Sequence, residues 1–177
     1  MKQKLMIGLL AILTYAFMCF TVNAYVLSGD AWGGGSLDPL YYIESTQYDT
    51  ALDTSVDDWN DESMDSGDFD ETGNPSTADV EIEDVDLVVG WAGQTANSVY
   101  ITTIMSSTVQ LNEYYLDGYS TDERRCTIAH ELGHVWGLDH EDDDEIRALM
   151  YSWHTQRWYW GIYVPQDDDV DGVNAIY

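Results

Sequence analysis

The eleven residues "HELGHVWGLDH" (130–140) constrain this chain more than any other stretch. Histidines four apart on a helix project from one face, so His130 and His134 can reach a single ion. Gly137 then lets the chain leave the helix abruptly, because glycine tolerates the left-handed backbone common just past a helix end. A tight turn through Leu138 and Asp139 brings His140 toward the same point. Three imidazoles with a fourth position left open form the donor set of a catalytic rather than a structural zinc. Glu131 lies one helical step beyond the first histidine, where a carboxylate can reach a water on the metal without itself ligating. Zinc lowers the pKa of such a water to about 7. Glu131 would take its proton as general base and pass it to a leaving amine. Cys126, one turn before His130, reads as a small buried hydrophobe rather than a fourth ligand.

The flanking sequence predicts a sheet followed by this helix. "PLYYIES" (39–45) has strand composition, and Leu52, Val56 and Trp59 recur at helical spacing in "TALDTSVDDW" (50–59). Residues 60–78, crowded with Asp, Ser and Gly, read as an acidic loop. Strand character follows over 79–91, in one or two pieces, then in "SVYITTI" (98–104) and "TVQLNEYYL" (108–116). Ser120 and Glu123 have the spacing of a capping box and predict a helix over about 121–136. His154 with Trp153, Trp158, Tyr159 and Trp160 reads as an amphipathic loop over the core, with lining of the cleft as the alternative.

Residues 1–24 read as a signal peptide: Lys2 and Lys4 precede an apolar run (5–20), and Val22 and Ala24 are small residues at a cleavage point. The run is shorter than the roughly 20 residues of a membrane span, so we expect no stable membrane insertion after cleavage, an uncleaved anchor being the alternative. The leader implies secretion, and the length implies a single domain over 25–177. Cys19 leaves with the leader, and Cys126 alone can form no internal disulfide. Four arginines then face 33 carboxylates, a net charge of −29, which excludes nucleic acid and anionic membranes as partners. The acidity reads as a solvated surface suited to salt or bound cations, with a preference for basic substrates as the sharper alternative. Calcium binding stays open, because the acidic loop resembles no calcium pattern closely enough to assign ligands. A monomer acting on protein or peptide substrates is expected.

The eleven-residue stretch resembles the extended zinc signature HExxHxxGxxH of the metzincin metalloendopeptidases. "ALMYS" (148–152) resembles the methionine-containing turn of the matrixins within that clan, with Met150 as a hydrophobic floor. "QDDDVDGVNAIY" (166–177) is similar to their closing helix, in which Asp168 or Asp169 would brace the turn. "YVLSGDAWGGGSLDPLYYI" (25–43) looks like the start of small prokaryotic members. The resemblance implies an α+β, zincin-like domain: a twisted mixed sheet packed on an active-site helix, with a small C-terminal subdomain carrying the turn and a final helix. It implies a secreted endopeptidase using one zinc, held by His130, His134 and His140 with Glu131 as base and Gly137, Met150 and Asp168 or Asp169 in support. Substrate would lie along an edge strand, for which "SVYITTI" is the candidate. The chain departs from the family pattern in having no cysteine-bearing propeptide segment, Ser152 in place of a proline, and no loop histidines for a second zinc. Tyr151 follows Met150 directly, not at the two-residue spacing of catalytic tyrosines, and is left out of the set. The alternative is an exported zinc- or calcium-binding acidic protein without proteolytic turnover.

Overall fold

The computed structural model describes residues 25–33, 40–62 and 67–177; the leader expected over 1–24, with Cys19, lies outside them. The elements are β1 (Ala31–Trp32), β2 (Leu40–Ser45), α1 (Asp49–Asn60), β3 (Phe69–Glu71), β4 (Val80–Val85), β5 (Gly93–Tyr100), β6 (Thr103–Asn112), α2 (Glu113–Leu116), α3 (Thr121–Val135), α4 (His154–Trp160) and α5 (Asp167–Ile176). β3, β2, β4 and β6 lie side by side and parallel. β1 pairs with Thr103 and Ile104 at the start of β6, and β4 with Ser107 to Asn112, so the two share one side of that strand. β5 occupies its other side, antiparallel, and forms the edge of the sheet.

The strand pattern decides which face is buried. Val80 and Ile82 pair with Ser107 and Val109, and all four are buried, whereas Glu81 and Glu83 on the alternate positions face Thr108 and Gln110. A period of two places one such set on each side of a sheet. The apolar side packs on α1 and α3. α1 contributes Leu52, Val56 and Trp59, all buried, at the spacing that makes one helical face. The Trp59 indole donates to the Ala129 carbonyl at 2.9 Å, the Trp32 indole to the Val135 carbonyl at 2.8 Å, and the Ser55 hydroxyl to the Arg125 carbonyl at 3.0 Å. Three donors from β1 and α1 thus fix α3 along its length. Arg125 also pairs with Asp58.

α3 begins at a capping box: the Ser120 N–H donates to Glu123 Oε2 at 2.7 Å, and the Glu123 N–H to Ser120 Oγ at 3.3 Å. Its end is equally defined. The Leu138 N–H donates to the Gly133 carbonyl and the Gly137 N–H to the His134 carbonyl, both at 3.1 Å, with Gly137 at φ +97°. This is a Schellman ending.

Several strand and loop expectations are corrected. "SVYITTI" straddles the β5–β6 hairpin: the chain turns at Ile101, a β-branched residue at φ +63° that gives no turn signal. The edge strand is therefore residues 93–100. "TVQLNEYYL" ends as α2, because the buried Asn112 side chain caps that helix at the Tyr114 N–H and also binds both the Leu87 N–H and the Leu87 and Trp91 carbonyls. The 79–91 segment holds only β4; 86–92 is irregular and is tied down by the same asparagine. The acidic loop contains β3, where Phe69 is buried against Trp136 and its backbone pairs with the Asn60 amide. The aromatic stretch after Met150 is helical, as α4.

Candidate metal centre and cleft

His130 and His134 project from α3, and the Schellman turn swings His140 back toward them. His140 Nε2 lies 3.2 Å from His130 Nε2 and 3.1 Å from His134 Nε2, and the three ligand atoms lie within 4.8 Å of one another. Zinc–nitrogen bonds of 2.0–2.1 Å at tetrahedral angles put neighbouring donors about 3.3 Å apart, so the two separations to His140 fit one small ion. The far ring nitrogens support the same tautomer. His134 Nδ1 donates to the Leu138 carbonyl at 2.8 Å and His130 Nδ1 to the Leu149 carbonyl at 2.9 Å, which leaves both Nε2 lone pairs pointing inward. Burial holds all three imidazoles below the usual histidine range, most strongly His130, so they are neutral at pH 7. Among the described residues, these three are the only His, Cys, Asp or Glu group placed to hold a metal.

Glu131 is buried beside them under β5. The Thr95 hydroxyl sits 2.8 Å from its Oε2 and 3.0 Å from its carbonyl oxygen. Burial pushes the carboxyl up to about 7, with the Thr95 hydroxyl opposing. Gly93 lies directly over this side chain: a Cβ there would come within 2.8 Å of Glu131 Cγ and Oε1. The Asn97 amide donates to the His134 carbonyl at 2.9 Å. Gly93, Thr95 and Asn97 share one face of β5 and border the cleft with Trp91, Glu131 and His140. Sequence reasoning missed all three, since each partner is 36 or more residues away.

The remaining support residues separate. Leu149 and Met150 donate their backbone N–H groups to Asp169 at 2.8 and 2.9 Å, and Gln166 donates to the same carboxylate at 2.8 Å. Of the two candidate aspartates, Asp169 makes these bonds; Asp168 is half-buried beside it. Met150 lies under α3, where any side chain at Gly133 would strike its sulfur at 2.3 Å. Gly137 packs on β1's approach: a Cβ would meet the Asp30 carbonyl oxygen at 2.5 Å. His154 and Trp158 pack against Tyr119, Trp158 edge-on, and neither is among the residues bordering the cleft at His134 and His140. Arg157, unremarked in the sequence, is buried behind His130, with Nη1 donating to the Tyr151 carbonyl and lying 3.0 Å from His130 Nδ1.

Because the atoms nearest Gly93 belong to the flexible end of Glu131, Gly93→Ala should cost little stability and displace the carboxylate instead. Under the endopeptidase reading expected from the sequence, zinc content and melting temperature should stay near those of the parent, and hydrolysis should fall by about 100-fold. Unchanged hydrolysis would show that the Glu131 position does not matter.

The family model described as matrixin, of the M10 peptidases, matches residues 41–177. Over 49 residues, 28% of this chain, the sequence is 49% identical to interstitial collagenase of Sus scrofa, and the match spans 9% of that protein's length. The solved structure of the GM1-bound form of the ECX AB5 holotoxin superposes with a TM-score of 0.56 at 14% identity, covering 87% of this chain and 88% of that one. At that identity the likeness is one of fold.

Proposed function

We propose, from the premise that this chain belongs to the matrixin family of metallopeptidases, that it is a secreted zinc-dependent endopeptidase, exported on removal of residues 1–24. The reading is supported above all by the three inward-facing Nε2 atoms beside a buried carboxylate. His130, His134 and His140 would hold the ion. When bound, zinc makes a water acidic and polarises the scissile carbonyl.

Each protein group then has a separate task. Glu131 accepts the proton of the attacking water and returns it to the leaving nitrogen, a role suited to a carboxyl whose affinity for protons lies near neutrality. Thr95 and Gly93 set its rotamer from above. Residues 148–151 would act as the methionine turn of the family, with Asp169 holding its backbone and Met150 seated under the helix. A peptide would add to the open edge of β5 by backbone hydrogen bonds.

The deciding experiment uses the purified chain with an unstructured protein as substrate. Cleavage should cease with a chelator and return on adding one equivalent of zinc. Stoichiometric zinc without cleavage would instead favour a zinc-binding protein lacking turnover.

A further inference from the structure

We infer that Arg157 holds His130 in the ring tautomer that cannot take a metal, so that zinc must overcome this residue to bind. The inference rests on His130 being a zinc ligand, as proposed above, but not on turnover. A neutral imidazole carries one N–H, and its other nitrogen offers a lone pair. His130 can ligate through Nε2 only when its proton is on Nδ1.

The two groups beside that Nδ1 make opposite demands. The Leu149 carbonyl, 2.9 Å away, accepts a proton and so favours the form that ligates. Arg157 Nη1, 3.0 Å away, directs an N–H at the same atom. A guanidinium stays charged and offers no acceptor, so it bonds Nδ1 only when that nitrogen is bare and the proton is on Nε2. No tautomer of the neutral ring satisfies both neighbours. Hydrogen bonds from an ionised donor are roughly twice as strong as neutral ones, which decides for Arg157 when no metal competes.

The inner side of the site allows the same choice. His140 Nε2 lies 3.2 Å from His130 Nε2 and 3.1 Å from His134 Nε2. Three bare lone pairs repel one another at such distances, so in the metal-free protein one ring must put a proton among them. A proton on His130 Nε2 is donated to His140 Nε2. A proton on His140 would serve that contact equally, but it leaves the His130 Nδ1–H pointing against the Arg157 N–H. His134 has no such conflict: among the described residues its Nδ1 meets the Leu138 carbonyl alone, at 2.8 Å.

Arg157 is fixed in its place. α4 carries it into the space behind His130, where it is 3% exposed and Nη1 also donates to the Tyr151 carbonyl. Among the described residues it forms no ion pair. Glu131 and Asp169 feel its charge without bonding to it. A buried cation lacking a bonded anion is costly to keep, and beside a metal ligand it also opposes a second cation. On metal binding the Nε2 proton goes to solvent, and Nδ1 takes one from solvent and donates it to Leu149. The charge of the ring is unchanged, and Arg157 is left with Tyr151.

The test reads the histidine ring tautomers of the isotope-labelled full chain by NMR at pH 7, metal-free and with one equivalent of zinc. In the metal-free chain His130 should carry its proton on Nε2 and His134 on Nδ1; zinc should move the first and leave the second. In Arg157→Met the metal-free His130 proton should lie on Nδ1, and zinc, titrated against a competing chelator, should bind about tenfold tighter or more. Removing a partner that merely supports a metal ligand has the opposite sign, a loss of roughly 10- to 100-fold. A His130 proton on Nδ1 in the unaltered metal-free chain would overturn the inference, and that measurement does not depend on how the variant folds. Unchanged or weaker zinc binding by a folded variant would overturn it too. Either result with zinc still bound by the unaltered chain sinks this inference alone; if that chain takes up no zinc, the metal-centre reading falls with it.

Discussion

Glu131→Gln should abolish hydrolysis and, in the same protein stripped of metal, raise stability at alkaline pH. Loss of the proposed proton acceptor should lower kcat by roughly 100- to 10,000-fold, with zinc still bound, because the three histidines are untouched. The stability effect follows from burial. In the unfolded chain the carboxyl ionises near 4.5, and in the fold near 7. Below pH 4.5 it is protonated in both states and contributes nothing. Above 7 the folded state holds an ionised group it disfavours, at a cost of about 3 kcal/mol. Glutamine carries no charge yet keeps an oxygen for Thr95. Denaturant titrations of the metal-free proteins should therefore coincide near pH 4 and separate at pH 8, the variant being the more stable. Coincidence at pH 8 would mean that Glu131 is not buried as described.

Gly137→Ala should be the most damaging small substitution at the site. It forces a side chain into a left-handed backbone and drives its Cβ to 2.5 Å from the Asp30 carbonyl oxygen, a backbone atom that cannot swing aside. Together these should cost on the order of 3 kcal/mol, lowering the melting temperature by about 6–12 °C for a chain of this size. Zinc affinity should fall too, since His140 is placed by this turn. Gly161→Ala is the control: its φ is +75°, but a Cβ there meets nothing within 4 Å, so only backbone strain of about 1–2 kcal/mol remains. Equal losses at both positions would refute a special contact at Gly137.

How legible all this was depended on the range of the interactions. α3 and its two ends could be read because the capping box, the four-residue histidine spacing and Gly137 are all local patterns. α1 announced itself through Leu52, Val56 and Trp59. The β5–β6 turn did not, because Ile101 takes a conformation its side chain disfavours, which only the paired strands impose. α2 was hidden for a similar reason: Asn112 caps it while also binding the chain 21 to 25 residues earlier. Between Asp168 and Asp169 the sequence offered no choice. Helical phase decided it, by turning one carboxylate toward Leu149 and Met150.

Gly93, Thr95 and Asn97 belong to the strand whose open side is free to take on a guest peptide, yet they grip Glu131 and the end of its helix. Under the proposed function, docking and proton transfer would therefore share a mechanical part. Whatever stills that strand would also still the carboxylate, so an occupied groove would be the condition under which it is best aimed.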